Sequence, residues 1–288
     1  MHNLINLRKY PIGQLGPKLD TIINQINIDL EKDGCAIVKN FLTNLGIKEL
    51  TKEANNVAHH AHHSSALTNA YFTKDDPSLP KSHPQRQFFE RSNAFIPADH
   101  FTKTGALRQI FDFPGFDEFI RKCLNEPIDR FFRYADPLAD AIVNVSTEGN
   151  GFPWHFDTNN FTVTLSIQNA EVGGEFEYAP MIRKDHENFE DVKNVLSGRS
   201  ELVKTLRLEP GDLQLFKGRY SLHRVTPLKG KTPRYVAILS YVEQKNMVGS
   251  LERTKQLYGR VLPIHYENAG KRSDKFIDSK FYLFKTII

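Results

Sequence analysis

Residues 151–161 read GFPWHFDTNNF. How this stretch is read decides the rest of the chain, because it sets His155 and Asp157 two positions apart in a strand-like segment. Side chains at i and i+2 of a β-strand leave the same face, so an imidazole stands beside a carboxylate. The bland reading is a polar pair on a half-exposed strand. The sharper one is two-thirds of a metal site, with a third donor from a neighbouring strand. His223, at the start of the strand-like run SLHRVTPL, is the candidate for that donor.

Outward from this stretch the texture is that of short strands. DAIVNVST, FPWHFDTNN, FTVTLSIQNA, GEFEYAP, ELVKTLRLEPGDLQLFKG, YSLHRVTPL and RYVAILSYVEQ follow one another between Gly and Pro turns. That spacing predicts an antiparallel sandwich or barrel over 131–245, with a polar helical insertion near 181–200. Pro210 and Gly211 in EPGD mark a tight turn. Before residue 131 the chain reads as mainly helical. Leu19, Ile22, Ile23, Ile26 and Leu30 recur at helical spacing before a stop at Gly34. CAIVKNFL reads as a strand, LGIKELTKEANNVAHHAHH as a second helix, and residues 113–126 as a short amphipathic helix. Residues 73–86 carry three prolines and form a loop or lid. The tail, 246–288, has one amphipathic segment, SLERTKQLYG, expected to cover the β core. The expectation is one domain over 1–288.

Composition narrows the function classes. With 288 residues, roughly three-quarters of the unfolded chain's surface can be buried. The 40% hydrophobic and 25% charged residues are those of a soluble globular protein. A net charge of +4 without any Lys/Arg block argues against a nucleic-acid partner. Two cysteines, Cys35 and Cys123, without CxxC spacing fit a reducing compartment. MHNLINLRKYPIGQLG lacks the apolar core of a secretion signal, and no run approaches the ~18 apolar residues of a membrane span. A cytoplasmic location and no membrane partner are the expectations.

Two imidazoles and one carboxylate on a face are the ligand set of non-heme Fe(II) oxygenases. Three protein donors leave open positions on a roughly octahedral iron, and a fourth would begin to close them. Arg234 lies eleven residues after His223. Pro227, Gly230 and Pro233 between them predict a hairpin that sets Arg234 on the next strand, where a guanidinium can grip a carboxylate with two parallel bonds.

HxD, a distant His, and an Arg some ten residues on, with GGEFEY between, resemble the Fe(II)/2-oxoglutarate-dependent dioxygenases. The resemblance implies an α+β fold whose core is a double-stranded β-helix, jelly-roll or cupin-like. N-terminal helices and a C-terminal helical tail would flank it. FFRYADPLADAIVNVSTEGNGFPWHFDTNNFTVTLSIQNAEVGGEFEYAP, with ERTKQLYGR near the end, is similar to the group of free-amino-acid radical halogenases and their hydroxylase relatives, over most of the chain after residue 68. In that group a halogenase carries Gly or Ala where this chain has Asp157, and chloride takes the vacated position. Asp157 therefore implies hydroxylation. The resemblance further implies Fe(II), 2-oxoglutarate and O2 as cofactor and cosubstrates, with succinate and carbon dioxide released. His155, Asp157 and His223 would be metal ligands and catalytic residues, and Arg234 would hold the far carboxylate of 2-oxoglutarate.

Other residues carry two readings each. Arg91 in QFFERSNAF is a surface ion pair or, by the resemblance, a clamp on a substrate carboxylate. Asn144 faces the iron and 2-oxoglutarate or is a satisfied core amide. Trp154 points away from His155 and reads as core packing. Asn159 and Asn160 turn the chain or touch substrate, with Asn160 the better candidate. Arg253 and Tyr258 would close the pocket from the tail, or merely pack. HHAHH, residues 59–63, would place His59 with His62 or His63 on one helical face, but no carboxylate or Cys stands at ligand spacing, which favours an incidental surface role. The expected activity is hydroxylation of a free amino acid or close derivative, lysine first, with a homodimer allowed for. The rivals are an oxygenase of another small molecule, a protein side chain or a nucleobase, and a non-catalytic metal- or 2-oxoglutarate-binding module.

Overall fold

Helical periodicity at the start holds. Helix α1 (Pro17–Asp33) buries Leu19, Ile23, Ile26 and Leu30 and ends where the Gly34 N–H returns to the Leu30 carbonyl. The computed structural model describes residues 4–267 and 276–280. The first three residues and the tail segments 268–275 and 281–288 lie outside the described residues. After β1 (Cys35–Val38), α2 (Asn44–Val57) is capped by Thr43, whose hydroxyl accepts from the Gly46 N–H at 3.0 Å.

The expected continuation of that helix through the histidine cluster is wrong. A 3-10 turn at Ala58–His60 ends it, and β2 begins at His62 and runs to Thr68. β2 pairs antiparallel with β3 (Phe89–Ile96), from His62 opposite Phe95 to Thr68 opposite Phe89. This ladder overrides the local helical pattern, as tertiary context commonly does. Helices outweigh strands in the first 130 residues, and β2 and β3 are strands that the sequence reading does not place there. That part holds α3 (Ala106–Phe111) and α4 (Phe116–Cys123), but it also supplies three strands of the largest sheet.

The β core follows. Its strands are β4 (Phe132–Arg133), β5 (Ala141–Ser146), β6 (Phe152–His155), β7 (Thr162–Gln168), β8 (Phe176–Ala179), β9 (Lys204–Leu206), β10 (Leu213–Phe216), β11 (Leu222–Val225), β12 (Arg234–Leu239) and β13 (Tyr241–Val242). Helix α5 (Phe189–Leu196) fills the insertion after β8, and α6 (Leu251–Tyr258), α7 (Ile264–Glu267) and α8 (Ile277–Lys280) form the described tail. One sheet has seven strands in the order β1-β10-β7-β12-β5-β3-β2, the other four in the order β6-β11-β8-β9, and β13 pairs with β4. From β5 to β12 the chain alternates between the two large sheets, β9 apart. That alternation is the double-stranded β-helix, and with the flanking helices the fold is α+β. Cys35, Phe176, Tyr178 and Phe216 pack between the sheets.

Period-two alternation sorts the seven-stranded sheet's residues. Val143, Val145, Val163, Leu165, Ile167, Leu213, Leu215, Tyr235, Ala237 and Leu239 join the helices in the main apolar core. Their neighbours Asn144, Ser146, Thr162, Thr164, Gln214 and Arg234 therefore take the opposite, inner face, which is the side that meets the smaller sheet.

The expected hairpin between His223 and Arg234 is also corrected. β11 already has β6 and β8 on its two edges, so it has no place for β12. Residues 226–233 instead cross to the larger sheet, where Arg234 stands opposite Ser146. Cys35 and Cys123 are free and buried. Among the described residues no helix is long and apolar enough to cross a membrane.

Candidate metal centre

β6 and β11 run antiparallel with His155 directly opposite His223. Residues facing each other across such a pair share a side, and the two ring centroids are 4.1 Å apart. β6 ends at His155, so Asp157 lies just beyond the strand and not on it as its spacing suggested. It is held there by the backbone, its N–H donating to the Gly218 carbonyl at 3.0 Å. Its Oδ1 lies 3.6 Å from His155 Nε2 and 3.5 Å from His223 Nε2. One donor atom from each residue falls within 4.8 Å of the other two, the one such group of three among the described residues.

The outward nitrogens fix the tautomers. His155 Nδ1 donates to the Pro153 carbonyl at 2.8 Å and His223 Nδ1 to the Ser221 carbonyl at 2.9 Å. Each bond reaches back two residues along the same strand and leaves Nε2 with a lone pair turned inward, the usual arrangement for ligating imidazoles. Phe152 stacks on His155 at 4.0 Å, and Phe216 packs edge-on against His223 at 4.8 Å. Thr162, from the inner face of β7, donates to Asp157 Oδ2 at 2.5 Å. Gly218 is needed for space, since a Cβ there would lie 1.9 Å from Asp157 Oδ2. Burial, then the charge of His223, pushes the His155 imidazole down to about 4. Burial acts to raise the Asp157 carboxyl, but the two imidazoles outweigh it and hold it well below the usual carboxylate range. A neutral imidazole and an ionised carboxylate are the forms that bind a metal.

Arg234 is buried, and burial pushes its guanidinium down to about 10. It forms no ion pair with any described residue. Gly174, at φ +73, brings its backbone against the Arg234 side chain, and a Cβ there would lie 2.9 Å from Cδ. Asn144 shares the inner face with Arg234, donating to the Ala94 carbonyl at 3.2 Å and accepting from Ser146 Oγ at 3.1 Å. Its amide is thus engaged within the sheet.

Beside His155 lies an aromatic turn that the sequence reading missed. Asn69, buried, accepts from the N–H groups of Tyr71 and Thr73 and donates to the carbonyls of Thr73 and Gln85. This scaffold holds Phe72 at φ 55, a conformation costly for a bulky residue. The Phe72 ring lies 5.6 Å from that of His155. Arg91 stands over the Phe72 ring at 5.3 Å and the Phe152 ring at 4.8 Å, and Arg253 of α6 over Phe72 at 4.5 Å. Two arginines far apart in sequence thus meet one ring beside His155. Arg91 is buried and, with the Asn93 amide turned to present its oxygen, donates to it from Nε and from Nη2 at 2.8 Å, which leaves Nη1 without a partner. Burial, then the like charge of Arg253, pushes its guanidinium down to about 8.

Of the remaining candidates, Tyr258 stands close enough to Arg91 and Arg253 to feel both charges. Trp154 packs in a second apolar cluster with Tyr71 and Phe156, as its alternation predicted. Asn159 and Asn160 are half-buried in the bend between Asp157 and β7. Tyr258 is buried against Phe95 at 6.5 Å. In the histidine cluster His60 stacks between His59 at 3.9 Å and His100 at 4.2 Å, with no acidic donor completing a metal group.

A family model described as Halogenase D matches residues 20–259. No curated protein matches the chain. Among solved structures, the non-heme alpha ketoglutarate dependent epimerase SnoN from nogalamycin biosynthesis is similar at 13% identity and TM-score 0.54, over 78% of this chain and 82% of that one. The carbocyclase SnoK of the same biosynthesis is similar at 11% identity and TM-score 0.52, over 76% and 83%. AviO1 from Streptomyces viridochromogenes Tue57 is similar at 12% identity and TM-score 0.54, over 77% and 95%.

Proposed function

This chain belongs to the halogenase D family of Fe(II)/2-oxoglutarate-dependent oxygenases, and on that premise we propose that it hydroxylates an unactivated C–H bond of a free amino acid or a close derivative. The observation that carries the reading is the intact carboxylate at Asp157, beside two imidazoles whose Nε2 atoms turn inward. His155, Asp157 and His223 would hold iron. Iron with 2-oxoglutarate and dioxygen supplies an oxidant strong enough for an aliphatic C–H bond and releases succinate and carbon dioxide.

The chain's own part is placement. Arg234 is a buried cation on the inner face without an anion, and burial of an unpaired charge is costly. The far carboxylate of 2-oxoglutarate would pair with it. Arg91 has the same need beside the imidazoles, and a guanidinium does not readily give up its proton, so a substrate carboxylate would settle there. Asn160 and Arg253 would border the substrate, with the Phe72 and Phe152 rings excluding water between them. Lysine is the first substrate to test.

The test is purified protein with Fe(II), ascorbate and 2-oxoglutarate, screened against the common amino acids for a mass gain of one oxygen coupled to succinate. At least one amino acid should give both. If none stimulates succinate formation, the substrate class is wrong. Replacing Asp157 by Gly should remove most hydroxylation, and an unchanged rate would show that Asp157 is not a ligand.

A further inference from the structure

The segment that carries Asp157 is held from outside by two arginines unconnected with any ligand. Arg183, fully enclosed, stands over the Phe156 ring at 4.9 Å, and Phe156 separates the two metal ligands His155 and Asp157. Arg219, equally enclosed, donates to the Thr158 carbonyl at 3.3 Å, just after Asp157. It also follows Gly218, whose carbonyl receives the Asp157 N–H. The two guanidinium groups therefore flank the metal carboxylate's backbone on both sides.

Both converge on one carboxylate, Asp278, near the far end of the chain. Arg219 Nη1 donates to Asp278 Oδ2 at 2.7 Å, and Arg183 Nη2 donates to Asp278 Oδ1. The contact is reinforced locally. The Phe276 ring lies under Arg183 at 4.0 Å and Arg219 at 5.2 Å, and the Ile277 N–H donates to Glu187 Oε1 at 2.7 Å. Glu187 also pairs with Arg183 at 2.8 Å but does not reach Arg219. Asp278 is thus the one described carboxylate that ties the two arginines together.

We propose that Asp278 is a positioning residue for the metal centre: by fixing Arg183 and Arg219 against residues 156–158, it holds Asp157 where the triad binds a divalent metal. The inference rests on the triad as the metal site and not on the substrate. Without Asp278 the carboxylate that joins Arg183 to Arg219 is gone, so the Phe156 ring and the Thr158 carbonyl are no longer held by two guanidinium groups fixed to one another.

The test is a Co(II) titration of the full chain, read by the visible absorption of the bound metal, beside a thermal melt. Asp278→Asn should weaken Co(II) binding five-fold or more and change its absorption. Asp278→Glu should restore affinity to within about two-fold. Glu187→Gln, which breaks the other Arg183 pair, should lower the melting temperature with little effect on Co(II) affinity. If Asp278→Asn lowers only the melting temperature and leaves affinity and spectrum as in the parent, Asp278 is structural and the proposal is overturned. Arg219→Met removes the donor to the Thr158 carbonyl while Asp278 keeps Arg183, so it tests the same link should Asp278→Asn fold poorly. Several-fold weaker binding supports the proposal, and unchanged binding refutes it. Failure of the parent chain to bind Co(II) would instead remove the metal centre on which both this inference and the proposed function stand.

Discussion

Four arginines are buried among the described residues, and they divide into two kinds. Arg183 and Arg219 are fully enclosed and answered by Asp278, with Glu187 adding a second carboxylate for Arg183. Arg91 and Arg234, buried to 2% and 7% exposure, form no ion pair with any described residue. Burial of a guanidinium is tolerable only when something anionic or strongly accepting meets it. The first pair is therefore part of the scaffold, complete as the chain folds. The second pair is incomplete: Arg91 stands over two rings that adjoin His155, and Arg234 lies on the inner face of the larger sheet.

The largest effect should separate the two kinds by sign. Methionine keeps most of the arginine's apolar stem and removes the charge. Arg234→Met should weaken 2-oxoglutarate binding by about 10²- to 10⁴-fold, the value of two charge-assisted hydrogen bonds at roughly 1.5–3 kcal/mol each. The apo protein should melt no lower than the parent, because an unpaired buried charge has gone. Arg183→Met leaves Glu187 without its cation and Asp278 with Arg219 alone, and should cost about 3–5 kcal/mol, read by denaturant unfolding. If both substitutions destabilise the apo protein equally, the division fails.

Arg91 gives a smaller and more selective test. Arg91→Gln retains donors for Asn93 but removes the charge. If Arg91 binds a substrate carboxylate in ground and transition states alike, KM for the substrate should rise about 10- to 150-fold with kcat little changed. A fall in kcat with KM constant would place Arg91 on the reaction itself and not on substrate binding. Below that lies Gly218→Ala. The added methyl would meet Asp157 Oδ2 at 1.9 Å, so the carboxylate must move. Metal affinity should fall about 10- to 100-fold, as for other outer-shell changes, without touching any arginine. Compared with Asp278→Asn, it shows how much of that effect comes from displacement of Asp157 alone.

The sequence made the triad legible because its information is local: HxD names two candidate donors, and a strand pattern names the third. It made Arg234 legible by type, but by a wrong path. A run of Pro and Gly says only that the chain turns, whereas the sheet to which it goes depends on which strand edges are occupied. In the first 130 residues β1 was legible, but β2 was hidden because it begins within a run of Ala and His and borrows its strand character from β3. Arg91 was visible as an arginine among aromatics, but Phe72, at positive φ under two guanidinium groups, left no mark beyond Asn69 in TNAYFTK. Asp278 was out of reach, since nothing in SDKFIDSK indicates that it meets residues 59 and 95 positions away.

The smallest expected effect concerns the region that looked most like a metal site in the sequence. HHAHH offers four imidazoles and the triad only two, yet number is not geometry. The run spans a 3-10 turn and a strand start, so its side chains diverge. His62 turns toward Gly259, where a Cβ would lie 2.7 Å from its ring. His60 spends its ring on stacking with His59 and His100, and no carboxylate closes a ligand set among them. Replacing His59, His60 and His63 by Asn should leave the metal content per chain and the 2-oxoglutarate affinity at parent values, while His155→Ala removes the bound metal. If the cluster variant loses metal and His155→Ala keeps it, the centre has been put in the wrong place. The buried arginines would then surround a site with no chemistry in it.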